Sequence, residues 1–132
     1  MNKHKFPFCT LFIIIVSATS VIACSSNRDG AAKMVETYIT ALSEQDANLV
    51  SSLSCAEWEQ TALGEVDSFT AVSSQVENLS CTESGQEGDD VIVSCAGKIA
   101  LDYGGEVQEI DLSSRLYIVR QESGEWRMCG YR

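Results

Sequence analysis

Val91-Ile92-Val93-Ser94-Cys95-Ala96-Gly97-Lys98-Ile99-Ala100-Leu101-Asp102-Tyr103 alternates along its whole length, and that alternation decides the fold class. Val91, Val93, Cys95, Gly97, Ile99, Leu101 and Tyr103 fall on one face, with Ile92, Ser94, Ala96, Lys98, Ala100 and Asp102 on the other. Successive side chains of a strand point to opposite faces, so this period of two predicts one long strand with an apolar side. Gly104-Gly105 is a two-residue hairpin signal, and its register sets Ile99 opposite Ile110 and Gly97 opposite Leu112. Ile110, Leu112, Leu116 and Ile118 then share the face of Cys95, while Asp102, Asp111 and Arg115 point outward. Gln121-Glu122-Ser123-Gly124 is the next turn and Glu125 to Tyr131 the last strand. A four-residue turn there puts Cys129 opposite Leu116, on the inner face.

Upstream of Val91, the segment Glu83 to Asp90 is polar and contains Gly85 and Gly88. A strand folding back about Gly88 brings Cys81 opposite Cys95, each seven positions away. Opposed residues of an antiparallel pair lie close enough for a disulfide. The chain before that reads as helical. Met34, Val35, Tyr38, Ile39 and Leu42 recur at helical spacing after Asp29, a cap candidate, with Lys33, Glu36, Thr37 and Thr40 on the opposite side. Asp46 caps a short second helix with Leu49, Val50 and Leu53 on its apolar side. Ser54-Cys55-Ala56-Glu57 has the form of a capping box for a third helix ending near Gly64, with Cys55 in its first turn and Trp58 one turn later. Helices followed by a four-stranded meander make an α+β domain with the helices on one face of the sheet.

The chain opens differently. Lys3, His4 and Lys5 precede an apolar run from Phe6 to Val16, then small and polar residues, then Val21-Ile22-Ala23-Cys24. A basic start, a short apolar core and a small residue before a cut are the parts of a secretory signal. The run is barely long enough to span a bilayer, and Ser17, Thr19 and Ser20 interrupt its second half, which disfavours an uncleaved anchor. Val21-Ile22-Ala23-Cys24 resembles the bacterial lipobox. That resemblance implies lipid on the Cys24 thiol, cleavage ahead of it, and a protein exported and anchored to a membrane. Ser25 in place of an aspartate implies the outer membrane in a two-membraned host. The expected organisation is therefore a leader over 1–23, the lipidated cysteine and a polar linker over 24–30, and one domain over 31–132. Ser25 to Gly30 reach at most about 20 Å, which keeps the domain near the bilayer.

Without residues 1–23, which carry Lys3, Lys5 and the sole histidine His4, seven basic residues face nineteen acidic ones, a formal net charge of −12. Nucleic acid and anionic headgroups repel such a surface, so no nucleic-acid partner is expected. Cys55, Cys81, Cys95 and Cys129 remain besides Cys24, separated by 25, 13 and 33 residues. Zinc and redox sites favour close C-x-x-C pairs, so two disulfides are expected, Cys81–Cys95 and Cys55–Cys129.

The stretches Met34-Val35-Glu36-Thr37-Tyr38-Ile39-Thr40-Ala41-Leu42 with Asp46, Tyr103-Gly104-Gly105, and Gly124-Glu125-Trp126-Arg127-Met128-Cys129-Gly130-Tyr131 together resemble the nuclear transport factor 2-like superfamily. The resemblance covers about residues 30–132 and implies a cone of helices wrapped by a curved antiparallel sheet. Enzymes of that superfamily hold an Asp–His or Tyr–Asp pair in the mouth of the cone. The mature chain has no histidine, and the register aims Asp111 away from the inner face. A bulge near Ser113-Ser114 would reverse that parity and turn Asp111 or Arg115 inward. Tyr38, Trp58, Asp111 and Arg115 are the pocket candidates, with Tyr38 and Trp58 favoured as core, and Trp126 too. Glu87, Asp89 and Asp90 read as a solvated acidic turn, not a calcium loop, since no EF-hand spacing is present. No nucleophile-elbow, phosphate-loop or dinucleotide motif occurs, so no cofactor or metal is expected. Three readings follow: a non-catalytic envelope module that binds a partner protein or small apolar ligand in the cone, an enzyme of the isomerase or dehydratase type, and a structural or accessory subunit with no pocket and a cone filled by side chains. Packing of Met34, Tyr38, Trp58 and Ile118 inside the cone separates the first from the last.

Overall fold

The computed structural model describes residues 28–132, with side chains from Gly30 onward. The leader, Cys24 and the capping side chain of Asp29 lie outside the described residues. Three helices, α1 (Arg28–Ser43), α2 (Ala47–Ser52) and α3 (Glu59–Phe69), precede the strands β1 (Ser73–Glu87), β2 (Asp90–Asp102), β3 (Val107–Asp111), β4 (Leu116–Glu122) and β5 (Glu125–Tyr131). A 3₁₀ turn over Leu112–Ser114 separates β3 from β4. The antiparallel sheet runs β1-β2-β4-β5, and β3 shares the outer edge of β2 with β4. The sheet has five strands, not the four expected, because the third one is cut in two.

α1 follows its apolar stripe: Ala31, Met34, Val35, Tyr38, Ile39, Ala41 and Leu42 are buried. Each large apolar side chain so removed from water contributes about 1.5–3 kcal/mol. On the flank of that stripe the Glu36 carboxylate accepts from the Cys81 backbone N–H at 3.0 Å and from Lys33 Nζ at 3.1 Å. These bonds tie α1 to β1 and hold the Glu36 carboxyl below its usual range, the backbone bond foremost. Asp46 caps α2 as expected, its Oδ1 accepting from Leu49 N–H at 3.0 Å; Val50 is buried and Leu49 is exposed.

α3 departs from expectation at both ends. The Ser54 hydroxyl donates back to the Val50 carbonyl, and the next helix starts only at Glu59 without a side-chain cap, so no capping box forms. Leu53 to Cys55 pair with the edge of β5 instead: Cys55 N–H donates to Met128 O and Met128 N–H to Leu53 O, each at 2.7 Å. α3 therefore begins at Glu59, with Cys55 in the preceding turn. It also runs through Gly64 to Phe69, because Ala62, Val66 and Phe69 continue a buried helical stripe past the glycine. A mid-helix glycine costs about 1 kcal/mol, less than those side chains return.

Cys81 pairs with Cys95 and is bonded to it, with Cα atoms 4.1 Å apart. The hairpin itself closes Glu87 on Asp90, a register that by itself sets Cys81 opposite Ala96. A bulge between Glu83 and Gly85 shifts the ladder by one and restores the pair. A second shift, between Glu77 and Ser80, lies against Gly97. Gly97 has φ +105, and a Cβ there would sit 2.6 Å from the Glu77 carbonyl oxygen, so only glycine fits.

Ile99 faces Ile110 as expected, but the ladder ends at Lys98 with Asp111, so Gly97 and Leu112 are not partners. The Asp111 carboxylate accepts from the Ser113 N–H at 2.8 Å and its hydroxyl at 2.7 Å, winding Leu112–Ser114 into the 3₁₀ turn. That turn inverts the parity of β4. Tyr117 and Val119 are buried, Ile118 is only half-buried and Leu116 is 38% exposed, which corrects the inward placement of Leu116 and Ile118. β4 and β5 join through Ser123-Gly124, a two-residue turn in place of the four expected, with Glu122 facing Glu125. Cys129 then lies in a bulge between Met128 and Gly130 and opposes no residue, Leu116 included. From there it bonds Cys55, with Cα atoms 5.0 Å apart. Both disulfides have the expected partners, although one register was wrong.

Candidate functional site

Three of the four pocket candidates meet between α3 and the end of the sheet where β4 begins and β5 ends. Tyr38 comes from the middle of α1, Trp58 stands at the start of α3, and Arg115 leads into β4. Trp58 Nε1–H donates to the Tyr38 hydroxyl at 3.1 Å, and that hydroxyl donates to Glu65 Oε2 at 3.4 Å. The Tyr131 hydroxyl donates to Glu65 Oε1 at 2.5 Å. The Tyr131 ring meets Trp58 edge-on at 5.4 Å and Tyr117 at 6.2 Å. Arg115 lies over the Tyr131 ring, its Cζ 4.2 Å from the centroid. Glu65, Tyr117 and Tyr131 are thus site residues beyond the four expected.

Arg115 was expected on a solvated outward face. The inverted parity of β4 turns it toward the ring of Tyr131, so the bulge alternative near Ser113-Ser114 is the one realised for this residue. Asp111 stays exposed, its carboxylate held low by the two bonds from Ser113, and it is not brought to Tyr38. It lines a separate surface cleft of about 430 Å³ with Asn78, Gly97, Lys98 and Glu109. The strands bring no carboxylate to the cluster, but α3 inserts Glu65. Trp58, Ala62, Glu65, Val66 and Phe69 share the helical stripe, so an acid on an apolar period was the available signal, hidden by ending the helix at Gly64.

Burial pushes the Tyr38 phenol well above its usual range, and the Glu65 charge adds to it. Burial pushes Tyr117 up to about 12, and burial with the bond to Glu65 raises Tyr131. Phenols raised in this way stay protonated and act as donors at neutral pH. The Tyr38 and Tyr131 hydroxyls both donate to Glu65, whereas the Tyr117 hydroxyl has no partner.

The interior behind them is filled by Tyr38, Leu112, Val119 and Met128, each at most 1% exposed, with Met34 also buried. Cys55, Cys129 and Glu122 offer three ligand atoms within 4.8 Å of one another, but the two sulfurs are bonded to each other and provide no thiolate. In the acidic turn, Glu87 pairs with Arg132 and Asp90 with Arg120.

Helices packed on one face of a curved antiparallel sheet form a fold similar to the nuclear transport factor 2-like, cystatin-like one. Solved structures agree on the fold. An NTF2-like protein with a cystatin-like fold from Novosphingobium aromaticivorans is 13% identical, with a TM-score of 0.56 over 80% of this chain and 79% of that one. A SEC-C motif containing protein from Rhodopseudomonas palustris is 12% identical, at a TM-score of 0.53 over 78% of this chain and 79% of that one. The helical cell shape determining protein of Campylobacter jejuni is 9% identical at a TM-score of 0.50, over 75% of this chain and 38% of that one. No family model matches the chain, and neither does any curated protein.

Proposed function

We propose that the protein is an exported lipoprotein, held to a membrane by lipid on Cys24, whose domain serves the cell envelope as a non-catalytic binding or accessory module. The lipobox-like Val21-Ile22-Ala23-Cys24 after an apolar run supports the anchor. The observation that carries the second half is the closed bonding of the cluster: Trp58, Tyr38, Tyr131 and Glu65 satisfy one another, and the cone behind them is packed. A packed cone favours recognition at the surface over a deep substrate pocket. The cone fold is consistent with either kind of module.

Metabolic labelling with palmitate tests the anchor. The wild-type protein takes up label, its mature mass begins at Cys24, and it fractionates with membranes. Cys24→Ala loses both label and cleavage. Label retained by that variant, or a wild-type mass that keeps residues 1–23, overturns the reading.

A further inference from the structure

We infer that Arg115 and the aromatic residues around it bind the carboxylate of a small monoanionic ligand with an apolar body; this deepens the binding reading above and rests on it. Six Lys and Arg side chains are described, and Lys33, Lys98, Arg120, Arg127 and Arg132 all lie in ion pairs. Arg115 alone among the described residues has none, in a chain of formal net charge −10. Such a chain has carboxylates to pair with every cation, so an unpaired guanidinium is the exception to explain.

That guanidinium is also positioned. It lies 4.2 Å from the Tyr131 ring centroid, and Tyr131 is itself pinned by its bond to Glu65 and by the Trp58 edge. A guanidinium carries its N–H donors as a planar fork, which matches the two oxygens of a carboxylate. The Tyr117 ring meets Tyr131 edge-on at 6.2 Å and backs it. Tyr117 is 2% exposed, and its hydroxyl is enclosed with no hydrogen-bond partner, although buried hydroxyls are nearly always bonded. The Arg115 charge acts on that phenol, so the two groups share one field.

The neighbours set the ligand class. Trp58 and Tyr131 are half-buried, which provides apolar contact for a ring or short chain. Glu65 and Asp111 also act on Tyr117, so a single Arg faces two nearby negative charges. Both Glu65 oxygens accept from tyrosine hydroxyls, and neither Glu65 nor Asp111 forms an ion pair with Arg115. One positive charge against that background suits a monocarboxylate and disfavours a phosphate dianion.

The probe is benzoate, with benzamide as its neutral isostere, titrated into the whole exported protein in detergent and followed by NMR at the arginine Nε–H signals. Benzoate should shift the Arg115 signal saturably, with a dissociation constant on the order of 1 mM, and benzamide should bind at least about tenfold more weakly. Arg115→Gln should lose at least about tenfold in affinity, and Arg115→Lys, which keeps the charge without the fork, several-fold. An unchanged Arg115 signal, equal binding of benzamide, or unaltered benzoate affinity in a folded Arg115→Gln protein overturns the inference. The measurement does not depend on acylation, so its failure leaves the Cys24 anchor standing, and loss of label at Cys24 leaves this site standing.

Discussion

Tyr117 and Tyr38 are both nearly fully buried phenols, yet they differ in what their hydroxyls meet. Tyr38 accepts from Trp58 and donates to Glu65, while the Tyr117 hydroxyl is enclosed without a partner. A buried polar group left unbonded carries its desolvation cost of about 1–3 kcal/mol, whereas a satisfied one returns about 1 kcal/mol net. Tyr117→Phe is therefore expected to leave stability unchanged or raise it by about 1 kcal/mol, and Tyr38→Phe to lower it by about 1 kcal/mol. Urea unfolding midpoints at neutral pH compare the two directly, and a Tyr117→Phe protein destabilised more than Tyr38→Phe contradicts the assignment. Either outcome is independent of what Arg115 binds.

Among the elements, α3 and the β3–β4 connection show where sequence reading stops. The alternation from Val91 to Tyr103 and the stripe from Met34 to Leu42 were legible because burial of one face enforces a period. Ser113 and Ser114 are polar on either face, so nothing in their pattern announces a turn that inverts parity, and Arg115 and Leu116 were assigned to the wrong sides. The turn is built by the Asp111 side chain, a local bond that periodicity does not record. At α3 the glycine signals an end, yet the buried stripe passes through it and carries Glu65 in the second half of the helix. The disulfide partners survived a wrong register because Cys129 lies in a bulge, where strict opposition no longer applies. Gly64 gives the test at this scale. It is exposed, and nothing lies within 4 Å of a Cβ built there. Gly64→Ala should stabilise by about 0.5–1 kcal/mol through helix propensity and a less flexible unfolded chain. If α3 ended at Gly64 with the glycine as its terminator, the same change would destabilise, so the sign of the shift in melting temperature decides.

At the scale of the whole molecule, two cross-links and a set of shifted acids bound the conditions under which it stays folded. Cys55–Cys129 spans 74 residues and Cys81–Cys95 only 14. On the chain-entropy account these loops contribute about 4.5 and 3 kcal/mol, large beside the 5–15 kcal/mol typical of a domain. Replacing the first pair by alanines should therefore lower the denaturation midpoint more than replacing the second, and the reverse order would point to enthalpic effects of the links. The pH limits follow from the shifted groups. Tyr38, Tyr117 and Tyr131 have folded pKa values above the ordinary 10, chiefly through burial, with Tyr117 at about 12. A raised folded pKa means that the unfolded chain releases its protons first, so stability is fully present below pH 10 and is lost as pH rises toward 12. Glu36 has the opposite sign: its folded pKa lies below 4.5, so its contribution is present above that value and disappears as pH falls through the lowered one. The expected profile is a plateau between about pH 5 and pH 10 with a steep alkaline edge. Absorbance of tyrosinate at 295 nm, read alongside circular dichroism, checks it: the three phenols should ionise together with unfolding. Their ionisation near pH 10 in a protein that keeps its fold would mean that they are open to solvent and that the cone is not closed.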